Sequence, residues 1–424
     1  MTLPSSTLPS SCCTPDTTGL SRRGLLGRAA AIGAGAALTG LVGEGLATRL
    51  AFAGTPYTGD TIVVLSLRGG FDGLSAVVPI GDPDYYTARP TIAVPKASVI
   101  AGDGTFGLNP AFAPLLARWT AGTFGAVHAV GQPNPSRSHF QAMEDLERAA
   151  AGTSVRTGWL DRMLGVAGAT APTAGVAMGA TSPARLFAGP APDVSMAAVD
   201  TFKLAGNDAK TPMAATLAKL FDGAPAVLAD PARAVNGTLG TVAALGAYTP
   251  AATYPNTALG KALRDVARLV KANVGLMAAT VDFGDWDMHE GLGTAVKGQR
   301  MHDHLNELAL ALEAFATDLG AAFNRVTLVT LSEFGRRVAE NGSRGVDHGN
   351  GNAMLLLGGG VRGGRVHGTW PGLAPAKLAA GDLAATTDYR SVIGEILQRR
   401  CGLGALGDVF PNVTPSSYGL VAAR

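Results

Sequence analysis

Short segments of this sequence are apolar and β-branched without a polar alternation, and each is followed within two residues by a glycine or a glutamate. They are Thr61–Leu67 (TIVVLSL), 123–130 (TFGAVHAV), 275–283 (GLMAATVDF), 325–331 (RVTLVTL) and 352–357 (NAMLLL). A strand with one wet face alternates apolar and polar residues, whereas a run that is apolar throughout belongs to a sheet covered on both faces. Between these runs lie stretches of helical periodicity, at 138–150, 259–274, 296–319 and 388–400. Strands alternating with helices predict an α/β layered sheet. Residues 170–257 are rich in Ala, Pro and Gly and read as an irregular insertion or cap.

The N-terminal segment has a separate purpose. Arg22 and Arg23 precede a weakly apolar Ala/Gly run from Leu25 to about Leu46, and Ala51-Phe52-Ala53 follows. Charged region, apolar region and small-residue site in that order make a secretory signal, and the arginine pair makes it a twin-arginine one. The competing reading is an anchoring helix, but a span needs about 20 strongly apolar residues and this run is too rich in glycine. The division expected is a signal over 1–53 and a single domain over 54–424, with export to the periplasm or beyond and no stable membrane span after cleavage. Gly33-Ala34-Gly35 mimics a dinucleotide loop, yet no strand precedes it. Cys12 and Cys13 leave with the signal, so Cys401 alone remains and no internal disulfide can form.

Composition removes other classes. The formal net charge is +2, charged residues are 16% of the chain, and no basic stripe with interleaved aromatics exists, which argues against nucleic acid as a partner.

Acidic and histidine residues gather just beyond the strands, where open α/β sheets bind ligands. Asp72 follows the first run, Asp285, Asp287 and His289 the third, Glu333 and Arg336 the fourth, and Asp347-His348 precede the fifth. Carboxylates and imidazoles drawn from several loops are the donors a divalent metal needs. Ser138 opens a helix, with Gln141 three residues on as in a capping box. A nucleophile at that place gains from the positive end of the helix when it carries a phosphoryl group.

GGFDGLSAVVP, PSRSHFQAMEDLE, DWDMHEG, LSEFGRR and VDHGNGNAMLLLGGGV together resemble the twin-arginine-exported family of domain of unknown function 1501. That family is itself similar to the alkaline phosphatase/sulfatase superfamily. The resemblance implies a three-layer α/β/α sandwich around a mixed, mostly parallel sheet. It also implies a first-strand carboxylate at Asp72 and a nucleophile at Ser138, with Ser136 as the fallback. An Asp-then-His element follows at Asp285 or Asp287 with His289, and a final histidine at His348. Where the superfamily carries an Asp-His pair this chain has Ser332-Glu333, which removes one imidazole. One or two metals are then expected, a single metal or a calcium- or magnesium-like site richer in oxygen competing with a full two-zinc site.

Each of these residues also has a plainer role. Asp72 sits in an Asp-Gly turn pair, Ser138 can serve as a cap alone, and His139 can pack under its loop. Arg336 can steady an anionic ester oxygen or form an ordinary salt bridge. His302 and His304 lie two apart on a helix and diverge, which suggests a surface place. The expected function is a secreted hydrolase of phosphate or sulfate esters that uses zinc, calcium, magnesium or manganese and acts on a small-molecule or polymer ester. The alternative is a non-catalytic exported binding or scaffold protein on the same fold. A serine hydrolase of the α/β-hydrolase type is disfavoured, because no G-x-S-x-G elbow is present.

Overall fold

The computed structural model describes residues 60–180, 182–206 and 213–424. The signal segment with Arg22 and Arg23, the Ala51–Ala53 site, and Cys12 and Cys13 lie outside the described residues.

Seven strands carry the central sheet: β1 Thr61–Leu67, β2 Phe124–Gly131, β3 Gly175–Met178, β4 Asp193–Met196, β5 Ala278–Phe283, β6 Val326–Leu331 and β7 Asn352–Gly358. Their spatial order is β2-β7-β6-β1-β5-β3-β4, and the short pieces Val366–His367 and Thr387–Asp388 both pair with β2. All pairings are parallel except those of β7, which runs antiparallel to both β2 and β6. The sheet is therefore mixed and mostly parallel.

Both faces are buried, as the unbroken apolar runs require. On β1, Val63, Leu65 and Leu67 point into one core, shared with helices α3 (Ala258–Ala272) and α4 (Arg300–Leu319). Ile62 and Val64 point into the other, shared with α1 (His139–Arg148), α2 (Trp159–Val166) and α5 (Tyr389–Arg399). The result is an α/β/α sandwich. Each fully buried Val, Leu or Ile contributes roughly 1.5–3 kcal/mol, so the two layers hold the strand ends in a fixed frame.

Register sets where chemistry is displayed. Leu67 pairs with Phe283 and Ser66 with Leu331, so β1, β5 and β6 end level with one another. Because β7 is antiparallel and Val130 pairs with Asn352, the loop entering β7 and the loop leaving β2 arrive at the same edge. Loops from five strands thus meet over one end of the sheet.

The first part of the 170–257 stretch departs from the expectation of irregular structure. It supplies β3 and β4, which extend the sheet beyond β5. The four-residue strands read GVAM and DVSM, with one β-branched residue each, so they carried no strand signal of their own. The later part contains a helix, Ala226–Ala243. Among the described residues, no helix is long and apolar enough to cross a membrane.

Candidate metal centre

Three imidazoles meet at the end of the sheet, each brought by a different loop. His139 opens α1 after β2, His289 lies beyond β5, and His348 lies just before β7. The rings of His139 and His348 are 4.4 Å apart, those of His289 and His348 4.7 Å, and Phe334 packs beside both His139 and His348.

The outer nitrogen of each ring is fixed by an oxygen acceptor. His139 Nδ1 lies 2.7 Å from Glu333 Oε1, His289 Nδ1 2.8 Å from Asp347 Oδ1, and His348 Nδ1 2.8 Å from the Arg137 carbonyl. An acceptor there places the proton on Nδ1 and leaves a lone pair on Nε2. The three Nε2 atoms turn inward around Asp287. His289 Nε2 is 3.0 Å and His348 Nε2 3.2 Å from Asp287 Oδ1, and these two nitrogens are 3.0 Å from each other. His139 Nε2, 3.6 Å from Asp287 Oδ2, is buried with no hydrogen-bond partner.

Converging lone pairs and a carboxylate repel one another unless a proton or a metal cation lies between them. One ligand atom each from His139, Asp287 and His348 falls within 4.8 Å of the others. The residues present therefore fit a divalent metal. The carboxylate or carbonyl behind each imidazole is the outer arrangement that fixes ring orientation and raises ligand basicity.

Asp287 is held in place by Arg336, whose Nη2 lies 2.7 Å from Oδ1. Partial burial would raise the Asp287 carboxyl, but the Arg336 guanidinium and the facing imidazoles hold it down to about 2. The His289 ring and the Asn341 amide keep the Asp347 carboxyl below its ordinary value. Glu333 is buried and also accepts from the Gly69 N–H at 2.8 Å, which ties the loop after β1 to the centre. Gly69 has φ +113, and a Cβ there would stand 2.6 Å from the Asp287 nitrogen, so only glycine allows that approach.

The structure separates the remaining candidates from this group. Asp72 is buried in a bidentate pair with Arg89, with Nη1 to Oδ2 at 2.6 Å and Nη2 to Oδ1 at 2.9 Å. Burial acts to raise that carboxyl, yet Arg89 and Ser75 leave it below its ordinary value. Both its oxygens are taken, so it is sealed from the centre. Asp285 has φ +68 and faces outward to Arg300 at 2.8 Å. Arg336 is likewise turned away from any substrate: its N–H groups go to the carbonyls of Gly69, Gly70, Trp286 and Val346 and to Asp287. It binds the loops together and is no clamp for an ester oxygen.

Ser138 is the N-cap residue of α1, but its side chain makes no capping bond. Gln141 bonds Asp145 in place of closing a capping box, and the Ser138 N–H donates to Ser136 Oγ. His304 is packed against Phe283 and Trp286 and bonds the Gly284 carbonyl, so it is not a surface residue; His302 pairs with Asp303. Sequence reasoning passed over the Arg137 carbonyl, Asn341 and Arg89. Arg137 lies within the quoted PSRSH segment, whereas nothing in the sequence marks Arg89 as the partner of Asp72.

The profile of the family described as "Protein of unknown function (DUF1501)" matches residues 105–395. The chain belongs to that family. Its match takes in every residue of the imidazole cluster and its supporting shell except Gly69. No curated protein matches the chain. Among solved structures it is similar to the C-terminal periplasmic domain of EcEptC from Escherichia coli in complex with Zn, at 11% identity over 73% of this chain and 76% of that one, TM-score 0.34. It is similar to Ps i-CgsB in complex with k-i-k-neocarrahexaose at 8% identity, over 84% and 75% of the two chains, TM-score 0.38. It is similar to the phosphonate monoester hydrolase of Agrobacterium radiobacter at 11% identity, over 85% and 78%, TM-score 0.34.

Proposed function

We propose that this protein is an exported, metal-dependent hydrolase of phosphate or sulfate esters. The observation that carries the reading is the convergence of three imidazole Nε2 atoms on Asp287 while each Nδ1 is anchored on an oxygen. His139, His289, His348 and Asp287 would hold the metal. Three imidazoles favour zinc over calcium, magnesium or manganese, which prefer oxygen donors. A divalent cation bound there supplies Lewis acidity toward an ester oxygen and lowers the pKa of a nucleophile.

The chain's own groups divide the remaining work. Glu333 and Asp347 keep the protons on the outer nitrogens of His139 and His289. Ser138, next to His139 at the start of α1 and free of a capping bond, is the attacking hydroxyl, and the helix N-terminus favours the anion it would come to carry. The Arg22-Arg23 segment directs the protein outward by the twin-arginine route, which passes folded proteins and so lets the metal load before release.

A second reading is supported by the sealing of Asp72. The residue expected to give a first-strand metal ligand is neutralised by Arg89, which suits a binding protein that keeps the centre without turnover. One assay separates the two. The protein, purified without chelator and supplied in turn with zinc, manganese, magnesium and calcium, is offered aryl phosphates, phosphodiesters and aryl sulfates. Turnover that Ser138→Ala abolishes with metal still bound supports the hydrolase. No turnover with any metal leaves the binding reading.

A further inference from the structure

A cavity of about 690 Å³ opens directly against the centre, sharing His139, Asp287 and Glu333 with it. Its size is within the usual range for a small-molecule site. One wall is apolar, made by Phe140, Met143, Met178 and Leu186. Phe140, next to a metal-ligand candidate, lines the cavity and is 90% exposed, so its ring face is free to stack on a bound ring.

Away from Asp287 and Glu333 at the centre, the charged residues of the cavity pair with one another. Arg68 Nη2 contacts Glu147 Oε1 at 2.9 Å and Asp282 Oδ1 at 3.1 Å, and Arg185 Nη1 contacts Glu147 Oε2 at 3.0 Å. Two guanidiniums face two carboxylates, so neither arginine is left to receive an anionic group. A substrate with several negative charges would gain nothing from this wall, while a neutral ring would gain apolar contact.

We infer that this cavity receives the non-ester part of the substrate and that Phe140 selects esters of neutral aromatic alcohols. The inference rests on the hydrolase reading for its substrate, but not for its test. The first arm needs no turnover: 2-naphthol is titrated into the metal-loaded protein and followed by its own fluorescence. The second compares kcat/KM for 2-naphthyl and phenyl phosphate, and for the matching sulfates, whose leaving groups are similar in acidity and differ mainly in ring size.

Naphthol is expected to bind the wild type, and Phe140→Ala to weaken it about fivefold, the size of one aromatic contact. The naphthyl-to-phenyl preference should fall by the same factor while metal content is unchanged. Naphthol binding without ester turnover keeps the cavity and removes the hydrolase. Ester turnover with no ring preference, or naphthol binding that Phe140→Ala leaves as it was, overturns the inference and keeps the hydrolase.

Discussion

Removing the acceptor behind one imidazole is the sharpest perturbation of the centre that leaves all its ligands in place. Glu333 receives the His139 Nδ1 proton at 2.7 Å and the Gly69 N–H at 2.8 Å on the same oxygen. Glu333→Gln keeps a carbonyl oxygen that can face both donors but loses the negative charge. Loss of charge behind a ligating histidine costs about tenfold in metal affinity, or about 1.4 kcal/mol. Glu333→Ala removes the acceptor altogether. His139 is then free to rotate, and the Gly69 N–H is left unsatisfied beside Asp287. The expected loss is about a hundredfold in metal affinity, with roughly 1–3 kcal/mol of stability from the orphaned donor. Competition against a chelator of known affinity measures the first quantity, and chemical denaturation of the metal-free protein measures the second. The graded order of wild type, Gln and then Ala is the signature. Equal metal affinity in all three would mean that Glu333 does not orient a ligand, and the argument from anchored Nδ1 atoms would fail with it.

Other expectations follow from single contacts. Asp72→Asn should cost about 3–5 kcal/mol of stability by leaving Arg89 buried and unpaired, yet leave metal content unchanged; a loss of metal would return Asp72 to the centre. Arg137→Ala breaks the 2.6 Å pair with the buried Asp382 and frees the loop whose carbonyl orients His348. Metal affinity should drop about tenfold, and the melting temperature should fall as well, because the buried Asp382 is left with only Arg337 at 3.9 Å. His128 is buried against the Val77 carbonyl, and burial lowers its pKa to about 4 from an ordinary 6.5. The folded state therefore resists a proton that the unfolded state accepts. Stability from this group is complete above about pH 6.5 and is lost as pH falls toward 4, by about 3 kcal/mol in all. In His128→Phe the acid slope of denaturation midpoints between these pH values should flatten; an unchanged slope assigns it elsewhere.

The strand ends and their histidines were legible because they depend on local pattern. An unbroken apolar run such as 325–331 announces a covered strand, and the acidic residue after it falls where ligands bind. Asp287, His289, Glu333, Asp347 and His348 were all found in this way, and the structure brings them together with His139. Direction in space was not legible. Asp72 and Asp285 have the same chemistry and strand-end position as Asp287, but one meets Arg89 across a turn and the other sits at a positive φ that points it outward. Arg336 and Arg89 reach partners far along the chain, as in the Arg89 bonds to the Val338 and Arg337 carbonyls, and no spacing rule encodes such contacts. The strands at 175–178 and 193–196 were hidden for another reason. The 175–178 strand takes its conformation from pairing onto β5 and the 193–196 strand from pairing onto β3, not from four-residue sequences that hold a single β-branched residue each.

The central claim is that four side chains form one cation site, and metal stoichiometry tests it most directly. Protein purified without chelator and dialysed against metal-free buffer is measured by elemental mass spectrometry beside Asp287→Ala and the double variant His289→Ala/His348→Ala. The account predicts a divalent metal, zinc first, retained near one per chain in the wild type and lost from both variants while their folded circular dichroism persists. Wild-type protein that holds no metal after exposure to zinc or manganese, or variants that hold as much as the wild type, would contradict it.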